Sequence, residues 1–220
     1  IIIYSKSEDG TEEFLNEFYP DISYLDQNSL NKFGSINLGL KKTSGDIIGL
    51  LHADDFFYSE NVLKNISEHF DEEVNCIYGD IMFCKKENIN KITRVWKSSN
   101  FDRISLKFGR IPPHTSIFIK KKLINNVGDY NENFDISSDY DFILRLFNNE
   151  KLKFKKLNNY ITVMRTGGDS TDLRKFIRKI NQDLEISSKF FKQPYFSVLS
   201  KIVSKIGQFK IFKQKLKNNY

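Results

Sequence analysis

Gly45-Asp46-Ile47-Ile48-Gly49-Leu50-Leu51-His52-Ala53-Asp54-Asp55 decides the fold. A run of about six apolar residues, opened by Gly-Asp and closed by two adjacent acids, predicts a buried parallel strand. In open α/β sheets, ligands gather outside the carboxyl ends of such strands. Two carboxylates at that end suit a hard divalent cation, which takes oxygen ligands from one or two acids plus substrate phosphates. The alternative is that Asp54 or Asp55 caps a helix starting near Ser59.

Outward from this stretch, strands and helices alternate. Upstream, Ile1-Ile2-Ile3-Tyr4 reads as a strand, and Ser7 to Glu13 as a turn leading into a helix, with Asp9 and Glu12 as a capping pair. Phe14, Leu15 and Phe18 give that helix its buried face, and Pro20 ends it. A short strand at Ile22 to Leu25 and a helix from Ile36 to Gly45 complete a doubly wound α/β layer. Downstream, Val62, Leu63, Ile66 and Phe70 recur at helical spacing. Cys76 to Phe83 reads as a strand bent at Gly79-Asp80. Pro112-Pro113 holds an extended loop before a strand at Ser116 to Ile119. His114 there either shapes a ligand site or ties the loop by a hydrogen bond.

Ser138 and Asp141 predict a capped helix whose apolar stripe is Phe142, Ile143, Leu146 and Phe147. Asp139 falls in its first turn, where the helix dipole favours the ionised form and a general base is one of two readings. The other is an ordinary N-terminal acid. A strand at Ile161 to Met164 leads to Gly167-Gly168-Asp169-Ser170, a loop of the kind that brings N–H groups to a phosphate or simply turns the chain.

The 220 residues suffice for one large α/β domain with an appendage. Hydrophobic residues at 40% and charged residues at 28% describe a soluble globular composition. No apolar run approaches the ~20 residues that span a bilayer, and Cys76 and Cys84 form neither a disulfide framework nor a zinc pattern, so a cytoplasmic setting is expected. The net charge of +6 is uneven: residues 189–220 hold eight lysines and no acid, leaving 26 basic against 28 acidic residues elsewhere. A general nucleic-acid surface on the main domain is therefore not expected. The lysines alternate with Phe190, Phe191, Leu199, Ile202 and other apolar residues, a pattern for an anionic membrane surface or for a helix packed on the domain.

In combination, these stretches resemble family 2 glycosyltransferases of the bacterial polysaccharide type. Ser7-Glu8-Asp9-Gly10-Thr11 is similar to a family turn, and Asn37-Leu38-Gly39 through Ala53-Asp54-Asp55 to the donor-site block. Pro113-His114-Thr115-Ser116, Ser138-Asp139-Tyr140-Asp141 and Gly167-Gly168 with Ser170 are similar to three later family segments. The resemblance covers roughly residues 1–172. It implies a GT-A fold, a mixed sheet flanked by helices, and inverting sugar transfer from a nucleotide-diphosphate donor to a glycan or lipid-linked acceptor. By the same resemblance, Asp139 is the base, and Asp55 with Asp54 holds Mg2+ or Mn2+. Asp9, Asn37 and His52 join them on the donor side, and His114, Gly167, Gly168 and Ser170 form the acceptor side or a loop beside it.

Departures from the family pattern shape the remaining expectations. Tyr4 stands where an acid usually reads the nucleotide base, Ser138 where glutamate is common, and His52 where asparagine is common. The family's first strand and helix have no counterpart in the sequence, so residues 1–172 are expected to be an N-terminally incomplete GT-A domain. Residues 173–220 are expected to be a helical, lysine-rich amphipathic region, which would place the chain peripherally at the inner face of the plasma membrane. Two alternatives stand beside the enzyme: a non-catalytic nucleotide-sugar-binding remnant, and a basic membrane- or partner-binding module on an α/β scaffold.

Overall fold

The computed structural model describes residues 1–6, 8–27, 29–100, 102–166, 173–206 and 208. In chain order the elements are β1 (Ile2–Tyr4), α1 (Thr11–Phe18), β2 (Tyr24–Asp26), α2 (Lys32–Lys42), β3 (Ile47–Gly49), β4 (Phe56–Phe57) and α3 (Val62–Glu68). They continue with β5 (Cys76–Lys85), β6 (Asn88–Trp96), α4 (Arg103–Lys107), β7 (Phe118–Lys120), α5 (Ile124–Val127) and α6 (Ser138–Phe147). The last are β8 (Phe154–Thr166), α7 (Leu173–Phe190) and α8 (Pro194–Ile206).

The long strands β5 and β8 run parallel at the centre of the main sheet, whose order is β3-β7-β5-β8-β4, with β6 paired to β5. All its other pairings are antiparallel, so the sheet is mixed. Alternation along the strands divides the core. Cys76 and Tyr78 face a cluster with α2, α6 and Ile186 of α7, whereas Ile77 faces α3 through Val62 and Ile66. Burying each large apolar side chain of α6 stabilises the fold by about 1.5–3 kcal/mol, and Leu144, Leu146 and Phe147 are completely buried. The bend expected at Gly79-Asp80 is present as a register shift against β8. A Cβ on Gly79 would lie 2.8 Å from the Asn159 carbonyl, so the strands meet there backbone to backbone.

The decisive stretch folds differently from its reading. Only Ile47–Gly49 is strand, and it lies antiparallel to β7 at the edge of the sheet, half-buried rather than enclosed. Gly49 sits beneath the Phe118 ring, where a Cβ would come within 2.2 Å, and Leu50 and Leu51 turn away to line a cleft. β1 pairs in parallel with β2 as a separate two-stranded sheet, and that cleft, of about 940 Å³, opens between β1 and β3.

Two helix starts also differ from expectation. Gly10, in the left-handed region at φ 81°, caps α1, while Asp9 accepts from the Thr11 N–H and hydroxyl at 3.0 and 2.7 Å. At α6 the cap residue is Ser137, the Ser138 hydroxyl has no partner, and Asp141 pairs with Arg145 at 2.8 Å. Arginine four residues on competes successfully for the carboxylate because the charge-assisted bond is the stronger one.

α7 and α8 pack onto this α/β body. The Gln182 side-chain carbonyl accepts from the Ile136 and Ser137 N–H groups at 3.1 and 3.0 Å. Lys179 bridges Ser137 and Asp183, and Lys201 of α8 reaches Asp183 at 2.9 Å with its ammonium over the Tyr140 ring. Among the described residues, no helix is long and apolar enough to cross a membrane.

Candidate active site

The site grows from four chain segments that end at one mouth of the cleft. The turn after β3 brings His52 and Asp55; Asp55 donates its N–H to the His52 carbonyl at 2.9 Å, which fixes the turn. The first turn of α2 brings Lys32, immediately after Asn31, whose side chain caps the Phe33 and Gly34 N–H groups. The proline loop ends in a single turn of 3-10 helix at His114–Ser116. It is tied by the Thr162 hydroxyl donating to the Thr115 carbonyl at 2.7 Å. The segment after α5 brings Tyr130. His52, Asp55, Lys32, His114 and Tyr130 all line the cleft.

Tyr130 organises that wall. Its ring stacks on Phe142 at 4.2 Å, and its hydroxyl meets His114 Nε2 at 2.6 Å. Its backbone is clamped by Asn37, which donates to the Tyr130 carbonyl at 2.9 Å and accepts from its N–H at 2.8 Å. Arg145 holds the chain before it through the carbonyls of Val127, Gly128 and Asp129. Neither the Tyr130 role nor that of Lys32 was read from the sequence. A lysine one residue after a helix cap opposes the helix dipole, and that misplacement is the local signal that could have found Lys32.

The electrostatics separate the two acids. Burial pushes the Asp55 carboxyl up to about 6 despite a backbone hydrogen bond from Arg165, and its Oδ2 is buried without a hydrogen-bond partner. Burial also opposes ionisation of Asp139, yet His114 and the ammonium groups of Lys179, Lys201 and Lys32 outweigh it and hold that carboxyl below its ordinary value. Asp139 Oδ1 accepts from the Tyr140 N–H at 2.8 Å, which turns the carboxylate across the mouth of α6. Burial takes both His52 and His114 down to about 4, so both rings are neutral at pH 7 and the lysines supply the net charge around Asp139.

The expected site residues therefore fall into three groups. His52, Asp55 and His114 meet in the cleft, and Asp139 acts electrostatically on both rings. Asp54 is exposed beside Asp55. Asp9 and Asn37 do not line the cleft: Asp9 closes an exposed turn, and Asn37 is buried on Tyr130. Gly167, Gly168 and Ser170 lie outside the described residues.

A divalent cation fits the Asp55 end on the structure's own terms. An orphaned buried carboxylate oxygen with a second acid adjacent is a hard, anionic donor set. Among the described residues no group of three or more His, Cys, Asp or Glu side chains gathers there, so the remaining ligands would be phosphates and water.

Comparison with known proteins gives this arrangement its family. Residues 1–138 match the sequence profile of Glycosyl transferase family 2. The chain belongs to that family. A PGL/p-HBAD biosynthesis glycosyltransferase of Mycobacterium bovis is 27% identical over 161 residues, covering 69% of this chain and 59% of the relative. An uncharacterized glycosyltransferase of Mycobacterium tuberculosis is 26% identical over 149 residues, covering 66% of this chain and 55% of its own length. The chain thus spans under two thirds of the curated relatives it matches.

Among solved structures, S. aureus TarS 1-349 superposes with a TM-score of 0.58 at 11% identity, over 92% of this chain and 61% of that one. Mannosyltransferase PcManGT from Pyrobaculum calidifontis, solved with GDP-Man and Mn2+, gives 0.57 at 16% identity, over 91% and 58%. These neighbours share the GT-A fold expected from the sequence.

Proposed function

We propose that the chain is a glycosyltransferase that moves a sugar from a nucleotide-diphosphate donor to a hydroxyl of a glycan or lipid-linked acceptor, with inversion. The observation that carries this reading is the opposite treatment of two acids at one site: Asp55 has a buried oxygen awaiting a cation, while Asp139 is kept ionised at the mouth of α6. Mg2+ or Mn2+ would be held by Asp55 with Asp54, and when bound would supply positive charge for the departing diphosphate. Lys32 faces the same leaving group from the first turn of α2. Asp139 takes the acceptor's hydroxyl proton as the new bond to the sugar forms and the sugar–phosphate bond breaks. Neutral His114, held by Tyr130, orients the acceptor hydroxyl toward that base. His52 flanks the donor.

Residues 1–172 form the GT-A unit in this reading, and residues 173–220 an appended helical region. The family suits an enzyme working at the cytoplasmic side of the envelope.

The test is nucleotide release from a panel of nucleotide-diphosphate sugars with Mn2+ or Mg2+. Cation-dependent release that is lost in Asp139→Asn, with donor binding kept, supports the enzyme. Donor binding with no release in any condition overturns it and leaves the non-catalytic reading.

A further inference from the structure

Beside the α6 mouth, where α8 closes against β6, the fold gathers more positive charge than it neutralises. Lys179, Lys201, Lys205 and Arg94 meet there, and the carboxylates that face them are Asp183 and Asp139. Asp183 is shared, with Lys179 at 3.1 Å on one oxygen and Lys201 at 2.9 Å on the other. Among the described residues Lys205 has no ion-pair partner, and its ammonium lies 5.9 Å from the centre of the Trp96 ring. Burial, and after it the Lys179 ammonium, takes Lys201 down to about 7 and lowers Lys205 as well. Charge held at that cost is charge a ligand would relieve.

These cations open onto a pocket of about 350 Å³ between β6, the end of α4 and α8. That volume falls in the range of about 300–1,000 Å³ typical of small-ligand sites. Its charged lining is Lys97, Arg110, Lys201 and Lys205, with Ser99 and Ser204 as neutral donors and no carboxylate among the lining residues. Lys201 is buried, Lys205 half-buried and Arg110 exposed, so the charge runs from floor to rim. Trp96, the single tryptophan of the chain, forms one wall. Two acids stand near without lining the pocket: Asp102 caps the Ile104 N–H at 3.0 Å, and Asp80 accepts from the Ser98 N–H at 2.8 Å.

An acid-free pocket with ammonium groups on its floor suits an oxyanion. A phosphate ester fits best, since it carries a charge of about −1.5 to −2 and three acceptor oxygens. Arg110 offers it a bidentate fork at the rim, and the lysines offer point charges below. A carboxylate would bring a single charge and two oxygens, and would leave more of the positive charge unmet.

The pocket adjoins the proposed chemistry through its own residues. Lys201 sets its ammonium 3.2 Å from the centre of the Tyr140 ring, one residue from Asp139, and is among the cations that hold Asp139 ionised. Arg110-Ile111 leads directly into the proline loop that carries His114. We propose that this pocket binds a phosphate ester carried by the acceptor, whether within a phosphorylated glycan or at the head of a lipid carrier. A hydroxyl of the same acceptor then reaches Asp139 while the donor occupies the cleft. The acceptor role rests on the transferase reading above; the phosphate site itself does not.

Trp96 makes the pocket directly observable, because all tryptophan fluorescence arises there. The experiment is a fluorescence titration of the full chain, without divalent cation, using inorganic phosphate, glucose 1-phosphate and geranyl phosphate, with methyl glucoside as the neutral probe. The variants are Arg110→Met and Lys205→Met in the pocket, Lys107→Met as an exposed cation outside it, and Lys32→Ala in the cleft, each checked for folding by circular dichroism. The expected result is a saturable change with the phosphorylated probes alone, weakened about tenfold in the two pocket variants and unchanged in the other two. Tighter binding of glucose 1-phosphate supports a phosphorylated glycan, and tighter binding of geranyl phosphate supports a lipid carrier. No saturable change, or binding weakened by Lys32→Ala and not by the pocket variants, overturns the proposal. Nucleotide release is read in parallel. Phosphate binding without release counts against the transferase alone, and release by a chain that binds no phosphate counts against this pocket alone.

Discussion

Asp55 lines the cleft and Asp139 acts on its two histidines from beside it, and burial opposes ionisation of both, yet their carboxyls shift in opposite directions. At Asp55 the surroundings offer one backbone N–H and leave Oδ2 without a partner, so the carboxyl climbs to about 6. At Asp139 the lysines of α2, α7 and α8 converge, and the carboxyl falls. Burial alone does not decide ionisation; the nearby charge does. One end of the site has its positive charge built in by the fold, and the other leaves it to be brought by a ligand.

The largest effect should come from breaking the built-in end. Asp139→Asn keeps the shape and the Tyr140 N–H contact but removes the proposed base, so turnover should drop about 10²–10⁴-fold. Donor affinity, measured by calorimetry, should stay close to that of the parent. A loss of donor binding with it would merge the two ends and end the comparison.

At the other end, Asp55→Asn should weaken Mn2+ binding about 10–100-fold, read by titration without donor. Lys32→Ala should weaken the donor diphosphate about tenfold while leaving Mn2+ affinity alone, since in the proposed arrangement the lysine would face the leaving group and not the cation.

The same contrast predicts a pH signature in thermal melts. The folded Asp55 carboxyl holds its proton up to about 6, whereas the unfolded one releases it near its ordinary value, so the folded state binds more protons between these limits. Its stabilising effect is therefore present at low pH and lost as pH rises through about 6. Discounted for its solvent-facing side, this amounts to about 1 kcal/mol, or about 2–4 °C in Tm. Asp139, held down, has the opposite sign and adds stability that is lost only at more acidic pH. Mn2+ should erase the Asp55 component, and Asp55→Asn should lack it.

How much of this was legible depended on the range of the interaction. The α6 stripe and the bend at Gly79-Asp80 follow from local pattern, and the structure keeps them. The direction of β3 was misread because a short apolar run does not reveal its neighbour, and β7, which lies about seventy residues away, runs opposite to it. Asn37 looked like a donor contact, but its partner is Tyr130, ninety-three residues on. The capping pair at Ser138 and Asp141 lost to Arg145, which also cages three carbonyls that no local motif announces. The state of Asp139 was the least legible feature, since its lysines come from three separate helices.

The smallest expected effect is also the sharpest probe of that last point. Lys179 on α7 bridges Ser137 and Asp183 and is one of the cations facing Asp139. Lys179→Met keeps most of the side-chain volume, and Asp183 keeps Lys201 as its partner, so the fold should hold. Removing one ammonium raises the Asp139 carboxyl, and the acid limb of kcat/KM against pH should move to higher pH. At neutral pH the rate should change by only about twofold, because a partly exposed charge contributes little where the base is already ionised. A shifted limb with a near-unchanged plateau would separate electrostatic support of the base from simple packing of α7 on α6. A lowered plateau with the limb in place would assign Lys179 to packing and leave Lys32 and Lys201 to hold Asp139.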